Sequence, residues 1–311
     1  MSHVLNSILE AVGNTPLVRL QRLVPPNSAD ILVKVEGLNV GGSIKTRTAF
    51  AMIENAEKSG ILKPGSVVIE PTSGNQGIGL ALICALKRYR CIIVMPDSVS
   101  IERRCIVQLY GAETVLVEDR GDIGEAMRNC MAKAAELQKS IPNSYIPQQF
   151  SNPSNPKVHH DKTGREILEQ LGEIKIDGFC SGVGTGGTLT GIGRLLREHF
   201  PDVRIVAVEP ENAAVLAGGA VGSHLQMGIG DGFIPDNLDQ SLLDCAITVS
   251  DEEAMKVARS LASQEGLPAG ISSGSNVAGA LRLAKKLGAG KTVLTVLPDS
   301  YDRYYSTPLF S

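Results

Sequence analysis

Ser66-Val67-Val68-Ile69-Glu70-Pro71-Thr72-Ser73-Gly74-Asn75-Gln76-Gly77-Ile78-Gly79 runs from an apolar, β-branched stretch through a turn of small residues into a helical pattern. Ser66 to Glu70 reads as a strand, Ile78 to Leu86 as a helix and Cys91 to Met95 as the next strand. Strands alternating with helices in this way build parallel sheets. Upstream, Ile31 to Glu36 is a strand and Thr48 to Ile53 lies in a helix; downstream, Ile101 to Tyr110 is helical and Thr114 to Val117 is a strand. Gly124 to Lys139 is helical by periodicity. The turn-rich Asn152-Pro153-Ser154-Asn155-Pro156 marks a candidate domain crossing. The alternation then resumes, with strands at Ile176 to Ser181, Val203 to Val208 and Thr292 to Leu297. Helices are expected near Leu189 to His199, Asp251 to Gln264 and Ser275 to Leu287. Residues 210–238 are glycine-rich and read as loop. The fold class is α/β, drawn as two similar halves with a cleft between them, where ligands bind outside the carboxyl ends of the strands.

At 311 residues, with 43% hydrophobic and 20% charged residues and a net charge of −3, the composition is that of an ordinary globular protein rather than a general nucleic-acid binder. The six cysteines show no CxxC pair or zinc spacing, and most sit in apolar runs, as buried thiols of a reducing cytoplasm would. No signal peptide is evident, and no apolar run approaches the roughly 20 residues that span a bilayer. The five histidines lack metal-ligand spacing, and His159 and His160 are expected at a helix start. No metal site is expected.

Four stretches carry candidate chemistry. In Gly41-Gly42-Ser43-Ile44-Lys45-Thr46-Arg47 a lysine falls in the first turn of a helix, where the dipole disfavours a cation. Such a lysine is either unusually exposed or used as an amine. The Thr72 to Gly79 turn offers hydroxyls and backbone N–H groups to an anion such as a carboxylate, against the plainer reading of a capped turn. Ser181-Gly182-Val183-Gly184-Thr185-Gly186-Gly187-Thr188 suits a phosphate. Its G-x-G-x-x-G spacing, with Glu209 about 20 residues on, also fits a dinucleotide fingerprint and a dehydrogenase. Ala269 to Asn276 enters another helix through small residues, and Leu297 to Tyr304 carries little by itself. A P-loop is excluded because Lys45 stands three residues beyond Gly42, and a Ser-His-Asp hydrolase because no G-x-S-x-G is present.

Together these stretches resemble the cysteine synthase (O-acetylserine sulfhydrylase) and cystathionine β-synthase family of pyridoxal-phosphate enzymes. The likeness runs from about Ile8 to Leu309. It includes Gly13-Asn14-Thr15-Pro16-Leu17, Met95-Pro96, Gln148-Gln149-Phe150, Asn152-Pro153 and Arg303-Tyr304-Tyr305-Ser306-Thr307. So many matches in order decide against the dehydrogenase. The resemblance implies the tryptophan-synthase-β-like fold (type II of the pyridoxal-phosphate enzymes), two open twisted sheet domains flanked by helices. Residues 40–150 would be the smaller, mobile substrate-loop domain, and 1–39 with 151–311 the larger phosphate-binding one. It implies that Lys45 holds pyridoxal 5'-phosphate as a Schiff base and moves the substrate Cα proton. Gly184, Thr185, Gly186, Gly187 and Thr188 would cradle the phosphate, and Asn75 would meet the ring hydroxyl. Thr72, Ser73, Gly74, Asn75, Gln76 and Gln149 would grip the substrate. A serine of the Ser272-Ser273 pair, by register Ser272, would face the pyridine nitrogen, where a neutral hydroxyl favours elimination at Cβ over transamination. A homodimer, docking of the serine acetyltransferase C-terminus and a cytoplasmic location are further implications.

Four departures from the family pattern stand out: Thr46 where many members carry Asp, Gln76 where Thr is usual, Val40 before Gly41 where Pro is frequent, and Asp231 where Ala is usual. Asp231, in Gly228-Ile229-Gly230-Asp231-Gly232-Phe233-Ile234-Pro235, either activates water against an aminoacrylate or is a solvated loop residue. The leading expectation is L-cysteine synthesis from O-acetyl-L-serine and sulfide. The alternatives are a cysteine lyase giving L-serine and hydrogen sulfide with Asp231 activating water, cystathionine formation from homocysteine, and a cofactor-binding relative that has lost catalysis.

Overall fold

The structure, a computed structural model, describes residues 4–121 and 123–311. The larger of its two sheets holds β1 (Leu17–Arg19), β2 (Asp30–Val35), β7 (Gly178–Gly182), β8 (Arg204–Pro210), β9 (Cys245–Val249) and β10 (Thr292–Leu297), in the order β1-β2-β10-β7-β8-β9. The smaller holds β3 (Val67–Pro71), β4 (Arg90–Pro96), β5 (Glu113–Val117) and β6 (Ser144–Tyr145), in the order β5-β4-β3-β6. Only β1 with β2 is antiparallel among these pairs. This is the expected α/β architecture of two open sheets. Helices α1 (Lys45–Lys58), α2 (Asn75–Lys87), α3 (Ile101–Leu109) and α4 (Ile123–Ser140) lie along the chain of the smaller sheet. After α5 (Ser154–Val158) and α6 (Arg165–Leu171), helices α7 (Gly187–His199), α8 (Asp251–Glu265) and α9 (Ile271–Leu287) accompany the larger one. No helix of the described residues is long and apolar enough to cross a membrane.

Each sheet reverses its strand order once, and ligand crevices form at such reversals. In the larger sheet β7, β8 and β9 step outward, then β10 returns to the other side of β7. The loops after β7 and β10 therefore leave side by side. In the smaller sheet β3, β4 and β5 step outward and β6 returns beside β3, so the segments after β3 and β6 meet likewise.

Two helices sit deepest. On α2 the side chains of Ile78, Leu80 and Ile83 are wholly buried, and each contributes about 1.5–3 kcal/mol of burial. Gly79 lets α2 reach α1, since a Cβ there would stand 3.0 Å from the carbonyl oxygen of Lys45. On α9, Gly274 and Gly279 do the same against Ala254 of α8 and Val208 of β8.

Burial of β2 on both faces forces Lys34 and Glu36 to find partners. Lys34 donates to Glu166 at 2.9 Å; Arg47 donates to both oxygens of Glu36 at 2.9 Å and to Glu166 at 2.6 and 2.7 Å. The lattice bolts α1, and Lys45 with it, to the larger sheet.

Several local expectations are corrected. Asn152 to Pro156 is not a plain turn: Asn152 Oδ1 accepts from Ser154 N at 2.9 Å and starts α5, whose first turn tolerates Pro156. His159 and His160 do open a helical segment, the π-helix His159–Gly164, but it continues directly from α5 into α6 rather than being entered from a loop. Strands β1 and β6 are too short to show a period, and the edge strand β9, mostly half-buried, has a weak pattern. Cys105 and Cys245 are exposed, while the other four cysteines are buried; all six are free.

Candidate functional site

Gly41 and Gly42 take φ of 72° and 70°, the left-handed region open to glycine. The Arg303 guanidinium fills the space a side chain on Gly42 would occupy and donates to the carbonyls of both glycines. Ile44 N donates to Pro298 O at 2.9 Å, and Lys45 N to Ser43 Oγ at 3.3 Å. Lys45 thus begins α1 at a fixed point beside the end of β10. It is half-buried, opens on the cleft that it lines, and donates from Nζ to Thr185 Oγ1 at 3.3 Å. Burial pushes its amine down to about 8, against the pull of the Asp231 and Glu70 carboxyls in the other direction.

The loop after β7 is a cradle with no room for side chains. A Cβ on Gly184 would stand 2.2 Å from Gly228 O, and one on Gly187 would stand 2.0 Å from Asn155 Oδ1. Gly186 has φ of 77° and begins α7 without a side-chain cap, which leaves the first N–H groups of the helix free for an anion. Asn155 Nδ2 holds the loop by donating to Thr185 Oγ1 at 2.9 Å and Gln149 O at 2.8 Å. The glycine cradle and the loop carrying Gln149 are therefore joined through one amide.

The loop after β3 is buried too. Thr72 Oγ1 accepts from Gly74 N at 3.1 Å, and α2 begins at Asn75 with no side-chain cap. Gln76 is 1% exposed, and neither atom of its amide has a partner among the described residues. Gln149 is drawn alongside by Glu70, whose carboxyl accepts from Gln148 N at 3.1 Å and Gln149 N at 3.0 Å. Burial pushes Glu70 up to about 8; those two N–H groups and Lys45 pull it back only in part.

Asp231 is 8% exposed and lines the same cleft, so the solvated-loop reading does not hold. Burial raises its carboxyl above the usual range, while Lys45 and His224 pull it down. Its loop is held by Gly230 N on Val183 O at 2.9 Å and by His224 Nε2 on Gly230 O at 2.9 Å. His224 Nδ1 accepts from Gln226 N at 3.1 Å, so the neutral ring carries its proton on Nε2.

Lys45, Thr72, Ser73, Gly74, Asn75, Gln76, Gln149, Gly184, Thr185, Gly186, Thr188, Asp231 and Ser272 all line one cleft. Gly187 does not, being packed on Asn155. Of the serine pair, Ser272 lines the cleft and Ser273 turns away to donate to Asp299 O at 3.3 Å. Glu70, Asn155 and Asp299, which sequence reasoning missed, stand behind the cleft and hold residues that line it. Each lay inside a quoted motif, but only its partners reveal the role.

The donor set suits pyridoxal phosphate. It has a glycine cradle at a helix start, a lysine amine pushed down to about 8, and buried polar atoms on Asn75 and Gln76 with no partner among the described residues. Among the described residues no cluster of three or more His, Cys, Asp or Glu could hold a metal ion. The pyridoxal-phosphate dependent enzyme family matches residues 8–299. A cysteine synthase of Staphylococcus aureus is 48% identical over 306 residues, 98% of this chain and 97% of that one. A hydrogen sulfide-producing enzyme from Fusobacterium nucleatum superposes with a TM-score of 0.92 at 40% identity, covering 97% of this chain and 100% of that one. O-ureido-L-serine synthase does so with a TM-score of 0.93 at 42% identity, covering 99% and 96%. With a glycine cradle, a lysine amine of lowered pKa and nearly the whole length matched, the chain belongs to the pyridoxal-phosphate dependent enzymes of the cysteine synthase type, and pyridoxal phosphate is its cofactor.

Proposed function

We propose that the protein carries out β-replacement on a serine- or cysteine-type amino acid, with water as the nucleophile that Asp231 activates: L-cysteine and water give L-serine and hydrogen sulfide. The observation that carries this reading is the Asp231 carboxylate, buried in the cleft that Lys45 lines. Thr72, Ser73, Gln76, Gln149 and the start of α2 bind the substrate carboxylate with hydroxyls, amides and backbone N–H groups. Bound on the Gly184–Thr188 cradle, pyridoxal phosphate supplies the electron sink that labilises the substrate's Cα–H and Cβ–S bonds. Ser272 offers the pyridine nitrogen a neutral hydroxyl. Lys45 takes the Cα proton and returns it to the same carbon. The sulfur leaves as hydrosulfide when the Cβ–S bond breaks. Asp231 then takes a proton from water as the Cβ–O bond forms and releases it to solvent, where it balances the hydrosulfide as hydrogen sulfide. A carboxylate at this point also repels hydrosulfide anion, which weakens its competition with water for Cβ.

L-Cysteine synthesis from O-acetyl-L-serine and sulfide is the second reading, supported by the likeness to the S. aureus cysteine synthase. It uses the same residues up to the arrival of the nucleophile. Product analysis separates the two: purified holoenzyme given cysteine alone should release sulfide and serine in equal amounts. Cysteine formation from O-acetylserine and sulfide with no release from cysteine would reverse the order. The division into 40–150 and 1–39 with 151–311, the homodimer, serine acetyltransferase docking and a cytoplasmic location belong to this proposal as family expectations.

A further inference from the structure

We infer that Asp299 is a positioning residue that sets the orientation of the Asn75 amide toward the cofactor ring. Asp299 follows β10 and is wholly buried. Its Oδ2 accepts from Asn75 Nδ2 at 2.7 Å and from the Tyr304 hydroxyl at 2.7 Å. The buried Arg103 guanidinium lies 3.8 Å from that oxygen and 4.6 Å over the Tyr304 ring, which supplies the opposite charge. A carboxylate offers acceptors only, so it selects the nitrogen of the Asn75 amide and decides which way round the amide sits. The second N–H of that nitrogen and the buried Oδ1, which has no partner among the described residues, remain for what the cleft binds.

The backbone around Asp299 ties the other ring-facing elements to the same point. Asp299 O accepts from Gly270 N at 3.2 Å and Ser273 Oγ at 3.3 Å, at the start of α9 where Ser272 lies. Asp299 also bridges Ser43, and the preceding Pro298 O takes the Ile44 N–H ahead of Lys45. The carboxylate has no freedom to swing, since even a Cβ on Gly270 would stand 2.1 Å from its Oδ1. Three helix starts, bearing Lys45, Asn75 and Ser272, thus meet at one residue. The stretch from Leu297 to Tyr304, mute in sequence, acts as the strap that registers them. A group held this way governs the proton on the ring oxygen, and hence the absorbance of the bound cofactor.

The inference rests on the reading that Asn75 meets the cofactor's ring hydroxyl, and the test separates the two. The visible absorbance band of the holoenzyme, its cofactor retention and its steady-state kinetics are measured for Asn75→Ala, Asp299→Ala, Asp299→Asn and the Asn75→Ala/Asp299→Ala double variant. Asp299→Ala should shift the band and lower kcat roughly tenfold, the usual scale for losing an orienting partner behind a contact residue. KM for the amino acid should move less than about twofold. Asp299→Asn, which keeps an acceptor oxygen for Asn75, should recover most of both. In the Asn75→Ala background Asp299→Ala should add nothing, because it acts through that amide. A band moved by Asn75→Ala but not by Asp299→Ala, or effects that simply multiply, would overturn the positioning role. A band unmoved by Asn75→Ala would overturn the ring contact and this inference with it. Should Asp299→Ala fail to fold, Asp299→Asn with and without Asn75→Ala decides the same question.

Discussion

Replacing Asp231 by Asn keeps the size of the side chain and removes its charge from a position 8% exposed. Two consequences follow from the site. The first is loss of a general base, which is worth 10²–10⁴ in rate, or about 2.7–5.5 kcal/mol of barrier. The second falls on Lys45, for which Asp231 is the larger of the two charges that hold its proton in place. In the apoprotein variant the amine should titrate below about 8, and each unit is about 1.4 kcal/mol. The assay is sulfide release from L-cysteine, run beside cysteine formation from O-acetylserine and sulfide on the same preparation. Sulfide release should fall by about 100-fold or more, while cysteine formation, whose nucleophile arrives already ionised, should change by less than about tenfold. In the native enzyme sulfide release should also decline as pH drops through the raised value of the Asp231 carboxyl, since only the ionised form accepts a proton. If Asp231→Asn released sulfide within a few-fold of the native rate, Asp231 would be part of the wall and water would find its base elsewhere.

Other residues give independent tests. Lys45→Ala should abolish turnover and the imine absorbance, and a substantially active variant would reject its role. With Lys45 held at about 8, the rate of loading cofactor onto the apoprotein should climb with pH and level off near 8. An ordinary lysine would keep climbing toward roughly 10.4. Glu70 titrates at about 8 in the fold and near 4.3 unfolded. The folded apoprotein thus holds a proton that the unfolded chain releases, so stability is full below about pH 4.3 and is lost as pH rises to about 8. Urea unfolding at pH 5 and 8.5 should show Glu70→Gln losing less than the native protein, by on the order of a few kcal/mol. Arg47→Ala leaves Glu36 buried without its cation and should cost about 3–5 kcal/mol in the same unfolding measurement; less than about 1 kcal/mol would mean that the lattice does not hold α1.

What was legible in the chain depended on whether the chemistry is carried by backbone or by partners. The glycine cradle could be read because its glycines do the work themselves: Gly184 and Gly187 leave no space for a Cβ, and Gly186 needs positive φ. Lys45 could be read because its place at a helix start is a local property. The strands of five to seven residues could be read by period except the half-buried β9, and β1 and β6, at three and two residues, could not. Glu70, Asn155 and Asp299 escaped for a different reason. A carboxylate near the end of a strand looks the same in sequence whether it faces solvent or, like Glu70, accepts N–H groups from residues 78 and 79 positions away.

Gln76 and Asp231 lie between these cases, and they bear on which reaction is run. Both are visible in sequence only as departures from a family pattern, and a departure has no sign until burial is known. Burial supplies the sign differently for each. Gln76 is buried with both amide atoms unpartnered among the described residues, a state that costs free energy unless a ligand supplies the missing hydrogen bonds. On the proposed reading that missing partner is a polar group of the bound amino acid. Asp231 is buried beside the lysine amine whose proton it helps to hold. Its charge is tolerated there because Lys45 opposes the desolvation that would otherwise neutralise it. In the proposed reaction Lys45 carries the Cα proton when water arrives, so its charge is then present to hold the Asp231 carboxyl ionised. On that reading the proton that Lys45 takes from Cα keeps the neighbouring carboxyl in the form that can accept one from water.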